Sequence, residues 1–399
     1  MFSALRIGEF RALWLAEAIS VAGDQLAKVA LALAVYSRTG SALLTAVVYA
    51  LSFLPALAGG LGLSQLADRY PRRTVLVGGS AVQAVLVGLM SIPGMPLAAM
   101  CVLLVGVGIA QAPALAAQNA MTRDVIVDDE LYFRSQDLRG VTTNTVQLLG
   151  LAGAGLLVTL VGSSRALFID ALTFVFAAAL VWFQVRHRPA AADGAQHIGW
   201  SGGARYLWSQ PRLRTMLGLS WLVGLAVVPE GLAAPLARQI GVGPAAVGWL
   251  LAADPLGYVI GTFLLSHFVP TARRQRLVGV LAIASLVVLL PFVVRPALGL
   301  ALALLAVAGA TGAYQITVGA SLNSWVPNEV RGGVFGVART GLRVSQGLGV
   351  AAGGAVAEGL GSATGAITIA ALVGVLLAIP MAASWRKLFQ PGAGEMQNV

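Results

Sequence analysis

Apolar residues occur in this chain in long runs, separated by short connections that carry polar, Gly or Pro residues. Twelve runs are about 20 residues long, which is enough for an α-helix to cross a hydrocarbon core of about 30 Å. Turn signals at residues 93–96 and 241–244 separate neighbouring runs. The pattern predicts an all-α polytopic membrane protein with twelve transmembrane helices. The predicted spans are residues 10–36, 42–63, 74–92, 96–118, 140–162, 165–185, 214–237, 244–268, 277–294, 297–320, 333–358 and 363–384.

Basic residues occupy every second connection. Of the 26 Lys and Arg residues, 21 lie at the two ends or in alternate connections; the others are Lys28, inside the first span, and Arg38, Arg165, Arg238 and Arg295. Loops rich in Lys and Arg face the cytoplasm, so both termini and the segment between the sixth and seventh spans are predicted to be cytoplasmic. The preference for Arg over Lys indicates a GC-rich bacterial gene, so the expected location is the bacterial inner membrane.

The amino-acid composition reduces the number of functional classes to consider. Hydrophobic residues make up 58% of the chain and charged residues 11%, whereas soluble domains have about 25% charged residues. The net charge of +10 lies in short cytoplasmic loops, where lipid headgroups account for it, so no nucleic-acid partner is expected. With one cysteine, three dispersed histidines and no nucleotide-binding loop, we expect no metal site, no cofactor and no enzymatic activity.

The chain divides into two similar halves. At an offset of 203 residues Gly40 aligns with Gly243, and at an offset of 199 residues Gln147 aligns with Gln346. Such a parallel six-plus-six repeat is the architecture of transporters whose halves surround a central cavity. The predicted units are an N-terminal six-helix half, a cytoplasmic linker, a C-terminal six-helix half and a cytoplasmic tail, namely residues 1–185, 186–213, 214–385 and 386–399.

The loop after the second span resembles the signature loop of the major facilitator superfamily, with the pattern G-x-L-A-D-R-x-G-R-R. Ser64 and Pro71 replace the usual glycines, and the matching residues are Leu66, Ala67, Asp68, Arg69, Arg72 and Arg73. The resemblance implies a cytoplasmic latch between the halves, in which Asp68 faces a helix N-terminus and Arg69, Arg72 and Arg73 face acidic groups. The alternative is that the arginines only anchor the topology.

Further segments resemble the macrolide- and siderophore-exporting branch of the drug:proton antiporters. They are residues 10–14, 19–24, 30–36, 39–41 and 326–336. The resemblance implies proton-driven efflux of small amphipathic molecules, by a protein that acts as a monomer. Two features depart from the branch: the fourth span has no arginine and the fifth lacks a proline. Import or facilitated diffusion of a small solute and lipid translocation therefore remain alternatives.

Ionisable residues inside predicted spans are candidates for the transport chemistry, because charge within a bilayer is costly. Glu17, Asp24 and Lys28 share one helical stripe of the first span, since their spacings are seven and four residues. A desolvated carboxylate that exchanges a lysine partner for a proton is a reasonable coupling element. In the alternative, Asp24 and Lys28 form a fixed structural pair, and Glu17 is hydrated near the cytoplasmic end.

The second half offers Glu230 and Asp254, each beside a proline that interrupts a span. These two acids are candidates for the substrate cavity, with a structural role as the alternative. Asp170 and Glu358 lie near span ends and are expected at the membrane interface.

The charge alternation generates a test of topology. A reporter that is active only outside the cytoplasm, fused after Arg205, should give no signal, because the 186–213 linker is predicted to be cytoplasmic. The same reporter fused after Gly94, in the connection between the third and fourth spans, should be active. A bright signal after Arg205 would refute the topology.

Overall fold

The computed structural model describes residues 2–53, 69–188 and 200–387, and in these ranges the chain is helical without β-strands. Each predicted span coincides with a helix or a chain of shorter helices. The described part of the second span ends at residue 53, and its helix ends at Leu51. The α-helices are α1 (Gly8–Thr39), α2 (Ala42–Leu51), α3 (Arg72–Met90), α4 (Leu97–Val125), α5 (Asp129–Val161), α6 (Ser163–Gln184), α7 (Trp200–Ser209), α8 (Pro211–Trp221), α9 (Val223–Ala226), α10 (Val228–Gly231), α11 (Ala233–Gln239), α12 (Ala245–Phe268), α13 (Thr271–Val287), α14 (Leu298–Gly312), α15 (Tyr314–Trp325), α16 (Asn328–Leu360) and α17 (Ala363–Lys387).

Ten helical segments among the described residues are long and apolar enough to cross a membrane. Three are composites: Pro211–Gly231, Arg273–Val294 and Leu298–Trp325 join consecutive shorter helices. The all-helical, polytopic architecture expected from the hydrophobic pattern is confirmed.

Two helices begin earlier than the hydrophobic pattern predicts. α5 starts at Asp129 rather than near residue 140, and α16 starts at Asn328 rather than near residue 333. At α5, the Asp128 side chain accepts a hydrogen bond from the backbone N–H of Leu131 at 2.7 Å, which caps the helix. Acidic residues in the first turn add to this stabilisation. Polar turns outside the apolar run therefore continue the helix.

The first compact unit comprises residues 1–39, 51–195 and 244–249. Its core is formed where α1, α3, α4 and α6 pack together through small and medium apolar residues. Gly79 of α3 lies so close to Ala114 of α4 that a β-carbon at residue 79 would be 2.8 Å from the Ala114 side chain. The buried core residues are Ala12, Leu13, Ala16, Leu76, Ala114, Ala117, Met121, Ala177, Val181 and Val185.

The second compact unit comprises residues 40–50, 196–243 and 250–399. Its core involves α8, α13, α15, α16 and α17 and includes the fully buried Tyr314 and Trp385. Part of the predicted linker belongs to this unit, because α7 packs on α16 where Gly203 meets the backbone of Gly333. Residues 40–50 group with the second unit and residues 244–249 with the first.

The seventh span is broken into α8, α9, α10 and α11. Pro229 and Pro235 lie within it, and proline has no N–H to donate to the helical ladder. The interruption agrees with the expectation drawn from Pro229, and it places Glu230 in a helical segment of four residues. The same expectation for Pro255 is wrong, because the eighth span is the continuous helix α12 with Pro255 inside it.

Candidate functional site

Asp24 and Glu17 lie on the wall of a cavity of about 100 Å³ inside the first unit. α1, α3, α4 and α6 form this cavity, and Asp24 itself is half-buried. Alongside the two acids, the polar part of the lining is neutral: Ser20, Ser80, Gln83, Gln111 and Gln118. The geometry thus places two carboxylates among amide and hydroxyl groups that can exchange hydrogen bonds with a small molecule or water.

Lys28 is one helical turn from Asp24, and the two opposite charges attract each other. The Lys28 ammonium also donates a hydrogen bond to Oε1 of Gln25 at 3.2 Å, and Nε2 of Gln25 donates to the carbonyl of Val21 at 3.1 Å. The stripe predicted from the spacing therefore places Lys28 beside Asp24 on α1. Lys28 thus lies beside an opposite charge, and a chain of hydrogen bonds through Gln25 links its ammonium group to the backbone of α1.

Glu17 forms a bidentate ion pair with Arg139 of α5. Nε of Arg139 donates to Oε2 of Glu17 at 2.6 Å, and Nη2 donates to Oε1 at 2.9 Å. The guanidinium also donates to Oδ1 of Asn119 on α4 and to Oε1 of Gln136, both at 3.0 Å. Both side chains are largely buried, with 7% of Arg139 and 15% of Glu17 exposed. Glu17 therefore belongs to a hydrogen-bond network that spans three helices. The alternative interpretation, in which Glu17 is only hydrated, does not describe these contacts.

Sequence reasoning missed Arg139 as a site residue, because it was counted only among the cytoplasmic basic residues. The signal that could have found it is the acidic run at residues 128–130, which is typical of a helix N-terminus. A helix that begins there carries Arg139 almost three turns inward, onto the same level as Glu17.

Asp170 is a second residue that sequence reasoning did not assign to the site. It is 1% exposed and lies on α6 against Gly23 of α1, so it is buried between two helices. The hydroxyl of Thr173 donates to Oδ1 of Asp170 at 3.3 Å and to its backbone carbonyl at 2.7 Å. Gly23 permits this close approach, because a β-carbon there would overlap both Asp170 and Thr173. The other acid expected near an interface, Glu358, is exposed and caps α2, since its Oε2 accepts from the backbone N–H of Ala42 at 2.8 Å.

The second unit brings Glu230 and Asp254 together. The Tyr49 hydroxyl of α2 donates to Oε2 of Glu230 at 2.6 Å, and the negative charges of Glu230 and Asp254 repel each other. Tyr258, one turn after Asp254 on α12, interacts with the Asp254 carboxylate, and the charge of Arg343 on α16 reaches Glu230. The sequence named the two acids, and the structure adds two tyrosines and an arginine.

The described residues of the expected latch contact different groups. Asp68 lies outside the described residues, and Arg69 is exposed. Arg72 forms an ion pair with Asp124 at the end of α4, with Nη1 2.5 Å from Oδ1. Arg73 donates to the backbone carbonyl of Trp182 and lies over its indole ring, 4.6 Å from the ring centroid. Arg72 and Arg73 thus attach the start of α3 to α4 and α6 within one unit.

These features define a class of protein: a polytopic helical transporter, with ionisable groups held inside its apolar helices. The family model described as Major Facilitator Superfamily matches residues 13–230 and 231–395. The chain belongs to that superfamily and is a secondary transporter. Among functionally curated proteins, comparison by sequence finds no significant match.

Solved structures of transporters share the fold. A bacterial homolog of the human lysosomal transporter Spinster, in an inward-facing and unoccupied conformation, has a TM-score of 0.74 at 15% identity, over 95% of this chain and 96% of that one. The nucleoside transporter NupG has a TM-score of 0.73 at 15% identity, over 95% and 99%. The POT family transporter PepTSo has a TM-score of 0.73 at 13% identity, over 95% and 98%. At these identities the likeness concerns the fold.

The Glu17–Arg139 pair generates a stability prediction. Arg139→Met should lower the stability of the purified protein by about 3–5 kcal/mol, because it leaves a buried carboxylate without its counter-charge. The double variant Glu17→Gln/Arg139→Met should recover most of that loss. Thermal unfolding in detergent measures both effects.

The matched control is Arg134→Met, which removes the exposed i,i+4 ion pair with Glu130 on the same helix. It should change stability by only about 0.3–0.5 kcal/mol. If the double variant is as unstable as Arg139→Met alone, the loss does not come from the unpaired charge.

Proposed function

We propose that the chain is a proton-coupled exporter of small amphipathic molecules that works by alternating access in the bacterial inner membrane, as a monomer with both termini in the cytoplasm. The observation that carries the proposal is the position of Asp24, on a cavity wall in a membrane-spanning helix with Lys28 one turn away. The proton gradient is the proposed energy source.

The coupling follows from the solvation of a carboxylate. A carboxyl group holds its proton in dry, apolar surroundings and gives it up when water or an ammonium group stabilises the charge. Movement of α1 between two transporter conformations would change the water around Asp24 and its distance from Lys28. A proton taken up in one conformation is then released in the other, which links proton flow to substrate movement.

The second unit supports a preference for cationic substrates. Glu230 and Asp254 place two repelling carboxylates together, so a positive ligand group would relieve the repulsion between them. Tyr49 and Tyr258 add aromatic rings, whose faces attract cations. Amphipathic compounds with an ammonium group are the substrate class that fits this arrangement.

Two other functions are compatible with the superfamily. An importer or facilitator would equilibrate its substrate or move it inward, and a lipid translocase would move its substrate between leaflets. Coupling through Asp24 distinguishes the first proposal, because passive facilitation requires no titratable group. Substrate accumulation in cells with and without the protein, and with and without a proton uncoupler, separates the three.

The sharpest prediction concerns Asp24. Asp24→Asn imitates a permanently protonated carboxyl group, so uphill transport driven by a pH gradient should fall to the level of protein-free vesicles. Downhill exchange of substrate should survive, because it needs no proton cycle. Purified protein in vesicles with an imposed pH gradient provides the measurement.

The control is Asp129→Asn, which removes an acid that is 77% exposed and belongs to a surface ion pair. This variant should transport like the wild type. Full gradient-driven transport by a well-folded Asp24→Asn protein would remove Asp24 from the coupling mechanism.

A further prediction concerns substrate choice. Glu230→Gln and Asp254→Asn should each reduce transport of cationic compounds at least severalfold relative to neutral ones, because each removes a counter-charge. Competition between one cationic and one neutral substrate in the same vesicles measures the ratio of their transport rates.

The control is Glu130→Gln, which removes an acid at the start of α5 that is 76% exposed. If neither acid variant changes the ratio, neither acid selects the substrate.

A further inference from the structure

Asp170 lies beside the residue pair that the proposed mechanism uses. Its Oδ1 is the atom that a β-carbon on Gly23 would meet first, and Gly23 directly precedes Asp24. The charges of Asp170 and Asp24 repel each other. Two carboxylates, one from α1 and one from α6, thus come close at a point where the helices are held together by a glycine contact.

The charges on the surrounding helices are few. Away from the helix ends, the ionisable groups described on α1, α3, α4 and α6 in this region are Glu17, Asp24, Lys28 and Asp170. Arg139 of α5 neutralises Glu17. α3 and α4 present uncharged glutamines to the cavity. Among these groups Lys28 is the cation that attracts Asp24, and the charge that acts on Asp170 is that of Asp24.

This charge count matters in a membrane. With both acids ionised the group Asp24, Asp170 and Lys28 has a net charge of −1, because two negative charges oppose one positive charge. One bound proton makes the group neutral. Burying an uncompensated charge within apolar helices is costly, so the neutral, singly protonated state is favoured in dry surroundings.

Asp170 also has weak support for a full negative charge. The hydrogen bond described to its carboxylate comes from the Thr173 hydroxyl at 3.3 Å, and the same hydroxyl makes the shorter 2.7 Å bond to the backbone carbonyl. A carboxylate that stays ionised in a protein interior accepts two or three good hydrogen bonds or an ion pair. Asp170 can therefore carry the proton whenever Asp24 is paired with Lys28.

We propose that Asp170 and Asp24 form a two-carboxylate proton site that holds one exchangeable proton beside Lys28. The inference rests on the proposed proton coupling and adds a second proton-binding residue from α6. Because the acids interact, the proton belongs to the pair, and removing either acid changes how tightly the other holds it. Transfer of the proton between the two carboxyl groups leaves the net charge unchanged.

Infrared absorption of protonated carboxyl groups, followed against pH on purified protein, tests the pair. The wild type should show one titration step of a buried protonated carboxyl group that is missing from the double variant Asp24→Asn/Asp170→Asn, which separates the step of this pair from any signal of Glu230 and Asp254. In Asp170→Asn the step should move to lower pH by about one unit, a tenfold weaker proton affinity, since the repulsion that favours protonation of Asp24 is gone. Asp129→Asn, which removes one exposed carboxylate, should leave the step in place.

Asp24→Asn keeps the inference testable if Asp170→Asn does not fold. A shared site predicts that Asp170 still titrates in this variant, at lower pH than the wild-type step, because the repulsion from the Asp24 carboxylate is gone. Two outcomes would overturn the inference. One is an infrared band of protonated Asp170 that persists at every pH tested in the Asp24→Asn protein. The other is a titration midpoint at the wild-type pH in a folded Asp170→Asn protein, and either would leave Asp170 as a structural hydrogen-bonding residue.

The two proposals fail in different ways. Full gradient-driven transport by Asp24→Asn would overturn proton coupling through Asp24, whatever the titrations show. If the titration step of the Asp170→Asn protein stays at the wild-type pH while the Asp24→Asn protein loses gradient-driven transport, only the role of Asp170 is overturned.

Discussion

The cost of an uncompensated charge inside apolar helices is the constraint on which this structure depends. Several buried or half-buried ionisable side chains in the described residues are met by a partner that compensates or solvates their charge. Arg139 neutralises Glu17, Lys28 attracts Asp24, and the Tyr49 hydroxyl donates to Glu230. Arg72 at the start of α3 is likewise met by Asp124 at the end of α4. Since a lost partner leaves the other charge unsolvated, these contacts fix which helices can be neighbours within each unit.

Small residues make those contacts possible. Carboxylates and amides are short, so they meet a neighbouring helix only where the backbones come close, and glycine allows such approaches in membrane helices. Gly23 brings Asp170 next to α1, and Gly150 brings α5 against Gln25, the amide that accepts from Lys28. Packing and electrostatics therefore support each other around α1.

The sequence predicted the fold well because the length of the apolar runs reports directly on the thickness of the bilayer. It predicted helix ends less well, since Asp128 extends α5 through polar residues that hydrophobicity alone excludes. For the site, charge within a span identified Asp24 and Glu230. Pairing across helices was hidden, because the partners of Glu17 and Glu230 are Arg139 and Tyr49, which are 122 and 181 residues away along the chain. No periodicity within one helix encodes such contacts.

The acids of the two halves were not copied by the internal repeat. At the 203-residue offset Asp24 aligns with Val227, and Glu230 aligns with Ala27, so the two halves carry their carboxylates at different positions. Their partners differ as well. In the first unit a lysine one turn away already supplies a counter-charge, which suits a group that exchanges protons. In the second unit a tyrosine hydroxyl donates to Glu230 and the charge of Arg343 reaches it, while Asp254 repels it. Two carboxylates beside one guanidinium leave a negative charge that a cationic ligand can neutralise. On this physical basis, the division of labour we propose assigns energy coupling to the first unit and substrate selection to the second.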